Sequence, residues 1–129
     1  MPSGGHETVL FVDDDDAVRR FASRMLGLRG YRVLEAASGA AAVAALSAAG
    51  SVDIVVTDII MPGQTGDQLA AQLRQAHPGL KVLFISGYND APLAGKLGDP
   101  HAFLSKPFSA DALERTVRAV LEGQDLCEE

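Results

Sequence analysis

Cysteine, long apolar runs and the features of a signal peptide are scarce in or absent from this sequence, and each absence argues against a class of protein. Its 129 residues include a single cysteine, Cys127, so no disulfide can form within the chain. No stretch approaches the roughly 18 consecutive apolar residues that a membrane-spanning helix needs. The segment from Met1 to Gly5 has neither the basic nor the apolar part of a secretory signal peptide. We therefore expect a cytoplasmic protein whose domain makes no contact with a membrane.

Positive charge is also scarce. Lys and Arg together number 11 against 17 Asp and Glu, and the formal net charge is -6 at pH 7. A protein that binds nucleic acid needs a basic surface to meet the phosphates, so we expect no nucleic-acid partner for this domain. The apolar fraction of 47% and the chain length suffice for one domain with one packed core.

Apolar runs and helical periodicity alternate along the chain five times. The predicted strands are Thr8–Val12, Tyr31–Ala36, Asp53–Thr57, Lys81–Ile85 and His101–Leu104. The predicted helices are Asp16–Leu28, Gly39–Ala49, Gly66–Ala76, a short and weak one at Ala91–Leu97, and Ala110–Glu122. Strands this rich in Val, Ile and Leu are buried on both faces. The pattern predicts an α/β fold of the (βα)5 type, a doubly wound five-stranded parallel sheet with the flavodoxin-like strand order 2-1-3-4-5.

The boundaries and surfaces of the predicted domain follow from the same pattern. The domain covers residues 8–122, with a linker at 1–7 and an acidic tail at 123–129. The segment 61–66 is rich in turn-forming residues and is predicted as a loop. The apolar face of the first helix is predicted from three-and-four spacing to comprise Val18, Phe21, Ala22, Met25 and Leu28. The arginines off this face are predicted to be solvated; they are Arg19, Arg20 and Arg24.

Chemically active residues follow four of the predicted strands. Asp13 and Asp14 begin a run of four aspartates after the first strand, Asp58 ends the third, Ser86 ends the fourth, and Lys106 follows the fifth. In a doubly wound sheet, ligands bind at the carboxyl ends of the strands. Three carboxylates gathered there repel one another unless a cation neutralises them. Mg²⁺ prefers a few carboxylate oxygens and leaves its other positions to water or phosphate, so the pattern predicts a magnesium site.

Such a pocket suits phosphoryl transfer, because the transferred group carries negative charge that fixed cations neutralise. Asp58 is the better candidate for the nucleophile, since it stands alone at its strand end and an ionised aspartate can form an acyl phosphate. The adjacent Asp13 and Asp14 are better suited to holding a metal ion. The Lys106 ammonium and the Ser86 hydroxyl would bind further phosphoryl oxygens.

Four segments of the chain resemble the receiver domain of two-component response regulators. They are VLFVDD at residues 9–14, VTDIIMPG at 56–63, ISG at 85–87 and FLSKPF at 103–108, in the order that the family has. The resemblance extends from about residue 8 to about residue 122. It implies that Asp58 accepts a phosphoryl group from a phosphohistidine of a histidine kinase or a histidine phosphotransfer protein. Such a domain catalyses only its own phosphorylation and dephosphorylation.

The resemblance also implies a role for each remaining residue of the site. Asp14 and Asp58 would bind Mg²⁺ directly, Asp13 through water, and Ile60 through its backbone carbonyl. The remaining residues would bind and report the phosphoryl group; they are Lys106 for binding, and Ser86 with Phe103 for switching conformation. Phe103 stands where many relatives have tyrosine. A docking role for the first helix is a further implication.

Other functions remain as alternatives. The strongest is a Mg²⁺-dependent hydrolase of the haloacid dehalogenase type, which also uses an aspartyl intermediate. Against it, Ala17 stands where that family has threonine or valine. A flavodoxin-like electron carrier would need to bind a phosphate where this chain has four aspartates. A calcium loop of the EF-hand type would need a glycine at Val18 and an acid at Arg24.

The origin of the domain is open at this stage. It is either free-standing or part of a longer protein, and the sequence around Tyr88 resembles receivers that follow sensor histidine kinases. A homodimer is a further open alternative.

Overall fold

The structure is a computed structural model that describes residues 7–61, 64–86, 102–105 and 108–122. Its strands are β1 (Thr8–Val12), β2 (Arg32–Ala36), β3 (Ile54–Asp58), β4 (Ile60–Met61), β5 (Gln64–Thr65), β6 (Lys81–Ser86) and β7 (Ala102–Ser105). Its helices are α1 (Asp16–Leu28), α2 (Gly39–Ala49), α3 (Gly66–Ala76) and α4 (Ala110–Leu121). The predicted helix at 91–97 lies outside the described residues, as do the tail and most of the linker.

Five of the strands form one parallel sheet in the order β2-β1-β3-β6-β7. This is the predicted order, because β6 and β7 are the fourth and fifth strands of the predicted sheet. The strand boundaries differ from the predicted ones by at most one residue. In the register, Val12 pairs with both Ala36 and Thr57, and Asp58 pairs with Ile85. The carboxyl ends of the strands therefore lie along one edge of the sheet.

Two apolar layers cover the two faces of the sheet. One contains buried residues of α2 and α3 against the sheet; these are Ala42, Leu46, Leu69, Ala70 and Leu73. The other contains buried residues of α1 and α4; these are Ala22, Leu26, Leu113, Val117 and Val120. Alternate strand residues, such as Leu10 and Phe11, enter opposite layers, which follows from the two-residue period of a strand.

The predicted apolar face of α1 is partly wrong. Phe21 and Leu28 are 41% and 73% exposed, whereas Ala22 and Leu26 are fully buried. At about 100° per residue, the buried stripe is centred between Ala22 and Leu26, and Phe21 and Leu28 lie together on one flank of it. The helix packs on the sheet along a narrow stripe, and spacing alone does not locate that stripe.

Three helices begin at the residues predicted from the sequence, and a side chain caps each of them. The Asp15 carboxylate accepts hydrogen bonds from the backbone N–H groups of Ala17 and Val18, at 2.9 and 3.3 Å. The hydroxyls of Ser38 and Ser109 cap α2 and α4 in the same way. Since these bonds satisfy backbone donors at the helix starts, they fix where each helix begins.

The segment predicted as a loop after β3 contains an antiparallel pair of short strands. β4 and β5 pair Ile60 with Thr65 and Met61 with Gln64. The backbone N–H of Thr65 donates to the Gln68 side chain at 3.1 Å, which helps to start α3. Two-residue strands have too little alternation to be recognised in the sequence. None of the helices within the described ranges is long and apolar enough to cross a membrane.

Candidate functional site

Three aspartates meet at the carboxyl edge of the sheet. Asp13 and Asp14 follow β1, and Asp58 ends the neighbouring strand β3. One carboxylate oxygen from each lies within 4.8 Å of the other two. Asp13 is 0% and Asp58 5% exposed, whereas Asp14 is exposed. The convergence predicted from the ends of the strands is thus present, with two of the three acids buried.

Backbone hydrogen bonds hold the two buried acids in place. The N–H of Asp13 donates to the carbonyl of Ala36 at 3.1 Å, which continues the β1–β2 pairing past the end of the strand. The N–H of Ile59 donates in the same way to the carbonyl of Ile85, also at 3.1 Å. The sheet pairing therefore continues as far as Asp13 on one strand and as far as Ile59, just beyond Asp58, on the other. Both carboxylates project from fixed backbone, as a preorganised site requires.

The loop after β1 is closed by its own side chains. The Asp13 carboxylate accepts a hydrogen bond from the N–H of Asp15 at 2.9 Å, and the Asp15 carboxylate caps α1. The run of four aspartates therefore divides into two pairs with separate roles. The first pair faces Asp58, and the second lies at the start of the helix, where Asp15 is the N-cap and Asp16 the first helical residue.

Arg19 contacts this loop, which is not predictable from the pattern of the sequence. Its guanidinium donates to the backbone carbonyl of Asp13 at 2.8 Å, to the Glu35 carboxylate at 3.3 Å and to Asp16 at 2.5 Å. Its side chain is only 12% exposed. The prediction that Arg19 is solvated is therefore wrong, although Arg20 and Arg24 are exposed as predicted. The one local indication of these contacts in the sequence is that Arg19 follows Asp16 by three residues, a spacing at which side chains of a helix can pair.

The ion pairs of Arg19 favour the charged forms of both partners. The hydrogen bond and charge of Arg19 lower the pKa of Asp16 below its usual value. The hydrogen bond that Arg19 donates to Asp16 raises the pKa of Arg19, and burial opposes this only in part. Asp16 and Arg19 are therefore both ionised at neutral pH.

The three-aspartate cluster offers the donors that a hard cation prefers. Its ligands are carboxylate oxygens, and hard divalent ions such as Mg²⁺ bind oxygen rather than sulfur or nitrogen. Two buried acids and one exposed acid leave part of the coordination sphere to solvent or to a bound group. The chemistry of the cluster therefore fits a metal ion.

The other predicted site residues are described only in part or not at all. Ser86 ends β6, Phe103 lies in β7 and Ile60 lies in β4, two residues beyond Asp58. The structure describes their backbone only, and Lys106 lies outside the described residues. Their roles in binding and switching stay predictions.

A doubly wound parallel sheet with an acidic cluster at its carboxyl edge defines the class of the protein, and comparison with known families defines it further. Residues 9–118 match the family model described as the response regulator receiver domain. The chain belongs to this family, since the match covers most of its length. It is a receiver domain of two-component signalling, the phosphoacceptor part of such systems, in which a kinase is the phosphodonor.

Similar proteins support the same assignment. The chain is 46% identical over 124 residues to the sensor kinase CckA of Brucella abortus, covering 94% of this chain and 13% of that protein. It is 35% identical to the transcriptional regulatory protein DctD of Rhizobium meliloti, covering 92% of this chain and 26% of that protein. The chain thus spans only a small part of these relatives.

Solved structures show the same fold. A response regulator receiver protein from Sinorhizobium medicae has a TM-score of 0.80 at 29% identity, covering 91% of this chain and 95% of that one. The chemotaxis protein CheY4 of Vibrio cholerae has a TM-score of 0.77 at 27% identity, covering 90% and 99%. The hydrolase alternative is not supported, because both the family match and the fold are those of receivers.

Proposed function

We propose that Asp58 is the phosphoacceptor of this receiver domain. The observation that carries the proposal is the meeting of the Asp58 carboxylate with those of Asp13 and Asp14 at the carboxyl edge of a receiver fold. Asp58 sits at the end of the central strand β3, which both β1 and β6 flank. Its backbone is held in the sheet by its pairing with Ile85 of β6, and the residue is only 5% exposed.

In the reaction, a carboxylate oxygen of Asp58 forms a bond to phosphorus while the phosphorus–nitrogen bond of the phosphohistidine breaks. The electron pair of that bond stays on the imidazole, which then takes a proton from water. Asp13, Asp14, Asp58 and the carbonyl of Ile60 are the groups that would hold Mg²⁺. The bound ion would neutralise charge on the phosphoryl oxygens.

Two further groups complete the proposed site. The Lys106 ammonium binds a phosphoryl oxygen, and the Ser86 hydroxyl binds another. Ser86 moves toward the phosphoryl group, and Phe103 turns into the space that it leaves. This change is a shift between two populations, driven by contacts that exist only in the phosphorylated state. The domain catalyses its own phosphorylation and dephosphorylation and no other reaction.

Intact mass spectrometry tests the phosphoacceptor directly. The chain is incubated with Mg²⁺ and acetyl phosphate, with Asp58→Asn as the variant and Asp53→Asn, an acid at the opposite end of β3, as the matched control. We expect one phosphoryl group per chain, lost in Asp58→Asn and kept in Asp53→Asn. Labelling of Asp58→Asn at the rate of the unchanged chain would show that another residue is the acceptor.

We also propose the kind of larger protein in which this domain acts. Because the matching segment of CckA is 46% identical, we propose that the chain acts as the receiver of a hybrid sensor histidine kinase. A receiver in that setting accepts its phosphoryl group from the kinase and passes it to a histidine phosphotransfer protein.

We also propose where the phosphodonor protein docks. Phe21, Met25 and Leu28 lie on one flank of α1 and form a surface that we name the α1 stripe. Phe21 and Leu28 are exposed, and the ring of Phe108, from the loop before α4, lies 6.4 Å from that of Phe21. Because α1 begins two residues after Asp14, Phe21 is the end of this stripe that lies nearer to the acidic cluster, and Leu28 is the farther end. Large exposed apolar side chains grouped on one flank of a helix are typical of an interaction surface.

A further inference from the structure

Arg19 joins three parts of the fold through polar contacts: the start of α1, the end of β1, and β2. It lies in the first turns of α1, its guanidinium binds the carbonyl of Asp13 at the end of β1, and it binds the carboxylate of Glu35 in β2. The same group pairs with Asp16 at the start of its own helix. Arginine suits this position because its planar group presents several donors in fixed directions. With 12% of its side chain exposed, Arg19 is held by the surrounding structure.

The carbonyl that Arg19 binds belongs to the peptide between Asp13 and Asp14. Since a peptide is planar, fixing the direction of this carbonyl also fixes the nitrogen and Cα of Asp14. Asp13 has further supports, namely its N–H bond to Ala36 and the bond from Asp15 to its carboxylate. Asp14 is exposed, so its carboxylate is not fixed by packing, and its position follows that of its backbone.

We propose that Arg19 is a positioning residue of the metal site: by binding the carbonyl of Asp13, it holds the Asp14 carboxylate where it can bind a divalent cation together with Asp13 and Asp58. The inference rests on the proposed function, because it requires that the three aspartates bind a cation. Groups that orient metal ligands from outside commonly change metal affinity by about 10-fold to 100-fold when they are removed.

The charge of Arg19 and its positioning role have opposite effects on cation binding. A guanidinium near the cluster repels a cation, so removing the charge alone would tighten cation binding. Removing the support for Asp14 would weaken it. The sign of the change in affinity therefore separates the two roles, and a purely structural role would lower the stability of the domain without changing the affinity of the folded molecule.

The experiment measures Mn²⁺ binding from the EPR signal of the free ion, with Mn²⁺ as a spectroscopic substitute for Mg²⁺. The variants are Arg19→Gln and Arg19→Lys, and the matched control is Arg29→Gln. Arg29, next to the other end of α1, pairs with Asp111 at 2.9 Å and is remote from the cluster. Urea unfolding of the metal-free protein is measured in parallel, and circular dichroism confirms that each variant is folded.

We expect the dissociation constant for Mn²⁺ to rise about 10-fold in Arg19→Gln and to stay unchanged in Arg29→Gln. A constant that is unchanged or lower in Arg19→Gln overturns the positioning role. If that variant does not fold, Arg19→Lys decides by the same criterion, because the ammonium keeps the charge but lacks the separate, fixed donors that the guanidinium uses for the three acceptors. A failure of the proposed site itself is recognised separately: the unchanged chain would not bind Mn²⁺, or Asp14→Asn and Asp58→Asn would bind it equally well.

Discussion

Tyr31, directly before β2, is a buried polar residue away from the proposed site. It is 4% exposed, and its hydroxyl has no hydrogen-bond partner among the residues described. The guanidinium of Arg118 lies over its ring, 5.7 Å from the centroid. Burial raises the pKa of the Tyr31 hydroxyl; the charge of Arg118 opposes this, and the charges of Glu114, Glu7 and Glu122 add to it. A buried hydroxyl without a partner lowers the stability of the fold, because it has lost its bonds to water.

The Tyr31 hydroxyl makes stability depend on alkaline pH. The pKa of Tyr31 is raised in the folded state, so the folded state favours the protonated hydroxyl. The part of the free energy of unfolding that comes from this preference is fully present below the unfolded pKa of about 10 and is lost as pH rises through the folded pKa. We predict that Tyr31→Phe is as stable as the unchanged chain at pH 7, or up to about 1 kcal/mol more stable. We also predict that it loses less stability than the unchanged chain above about pH 10. Urea unfolding across this range measures both effects.

A direct titration supplies the control. The chain has two tyrosines, so Tyr88→Phe leaves Tyr31 as the only one, and the ultraviolet absorbance of tyrosinate then reports its ionisation alone. An ionisation midpoint at or below about 10 in the folded protein would contradict the argument.

The short pair β4–β5 brings the start of α3 against the end of β3. The N–H of Gly66 donates to the carbonyl of Ile59 at 2.6 Å. A Cβ atom at Gly66 would collide with the backbone carbonyl of Asp58 and would lie 3.1 Å from the Cα of Ile59. The φ angle of Gly66 is not positive, so the glycine is needed for this close approach rather than for an unusual conformation.

We predict that Gly66→Ala lowers the free energy of unfolding by about 1–3 kcal/mol, because backbone cannot move aside as a flexible side chain can. It should also slow labelling of Asp58 by acetyl phosphate, since the displaced backbone carries that carboxylate. Gly27→Ala is the matched control: nothing lies within 4 Å of its Cβ position in α1. An alanine there should raise stability by about 0.5–1 kcal/mol. Equal stability of Gly66→Ala and the unchanged chain, measured in urea, would refute the steric argument.

The sequence predicts those parts of the elements that depend on neighbouring residues. Asp15 and Ser38 cap α1 and α2, and the predicted bounds of both helices are confirmed. The meeting of Asp13 with Asp58 is also predictable, because parallel strands end at one edge of the sheet. The burial of Arg19 is not, since it depends on Glu35 in β2, sixteen residues away.

At the scale of the whole molecule, the two faces of the sheet differ in what they expose. The layer of α1 and α4 carries the exposed side chains Phe21 and Leu28, which the spacing of apolar residues had predicted to be buried. On the described part of the opposite layer, no large apolar side chain is exposed to this extent. A domain that receives a phosphoryl group from another protein must bind that protein with its acidic edge accessible. The α1 stripe runs along the helix that begins at that edge, with Phe21 nearer to the edge than Leu28, so a partner docked along it leaves Asp58 open to the donor.

We predict that Leu28→Glu slows phosphoryl transfer from a histidine kinase but not labelling by acetyl phosphate. Leu28 is 73% exposed, so a charge there should leave the fold intact. If the α1 stripe carries the binding energy of docking, we expect a loss of about 1 kcal/mol, which corresponds to about 5-fold in binding. The donor is an autophosphorylated kinase, first the sensor kinase CckA of Brucella abortus, and the control is Ala48→Glu on the exposed side of α2.

Equal slowing by Leu28→Glu and Ala48→Glu would show that added charge, rather than the α1 stripe, affects docking. Slowed labelling by acetyl phosphate in Leu28→Glu would instead place the defect in the site around Asp58.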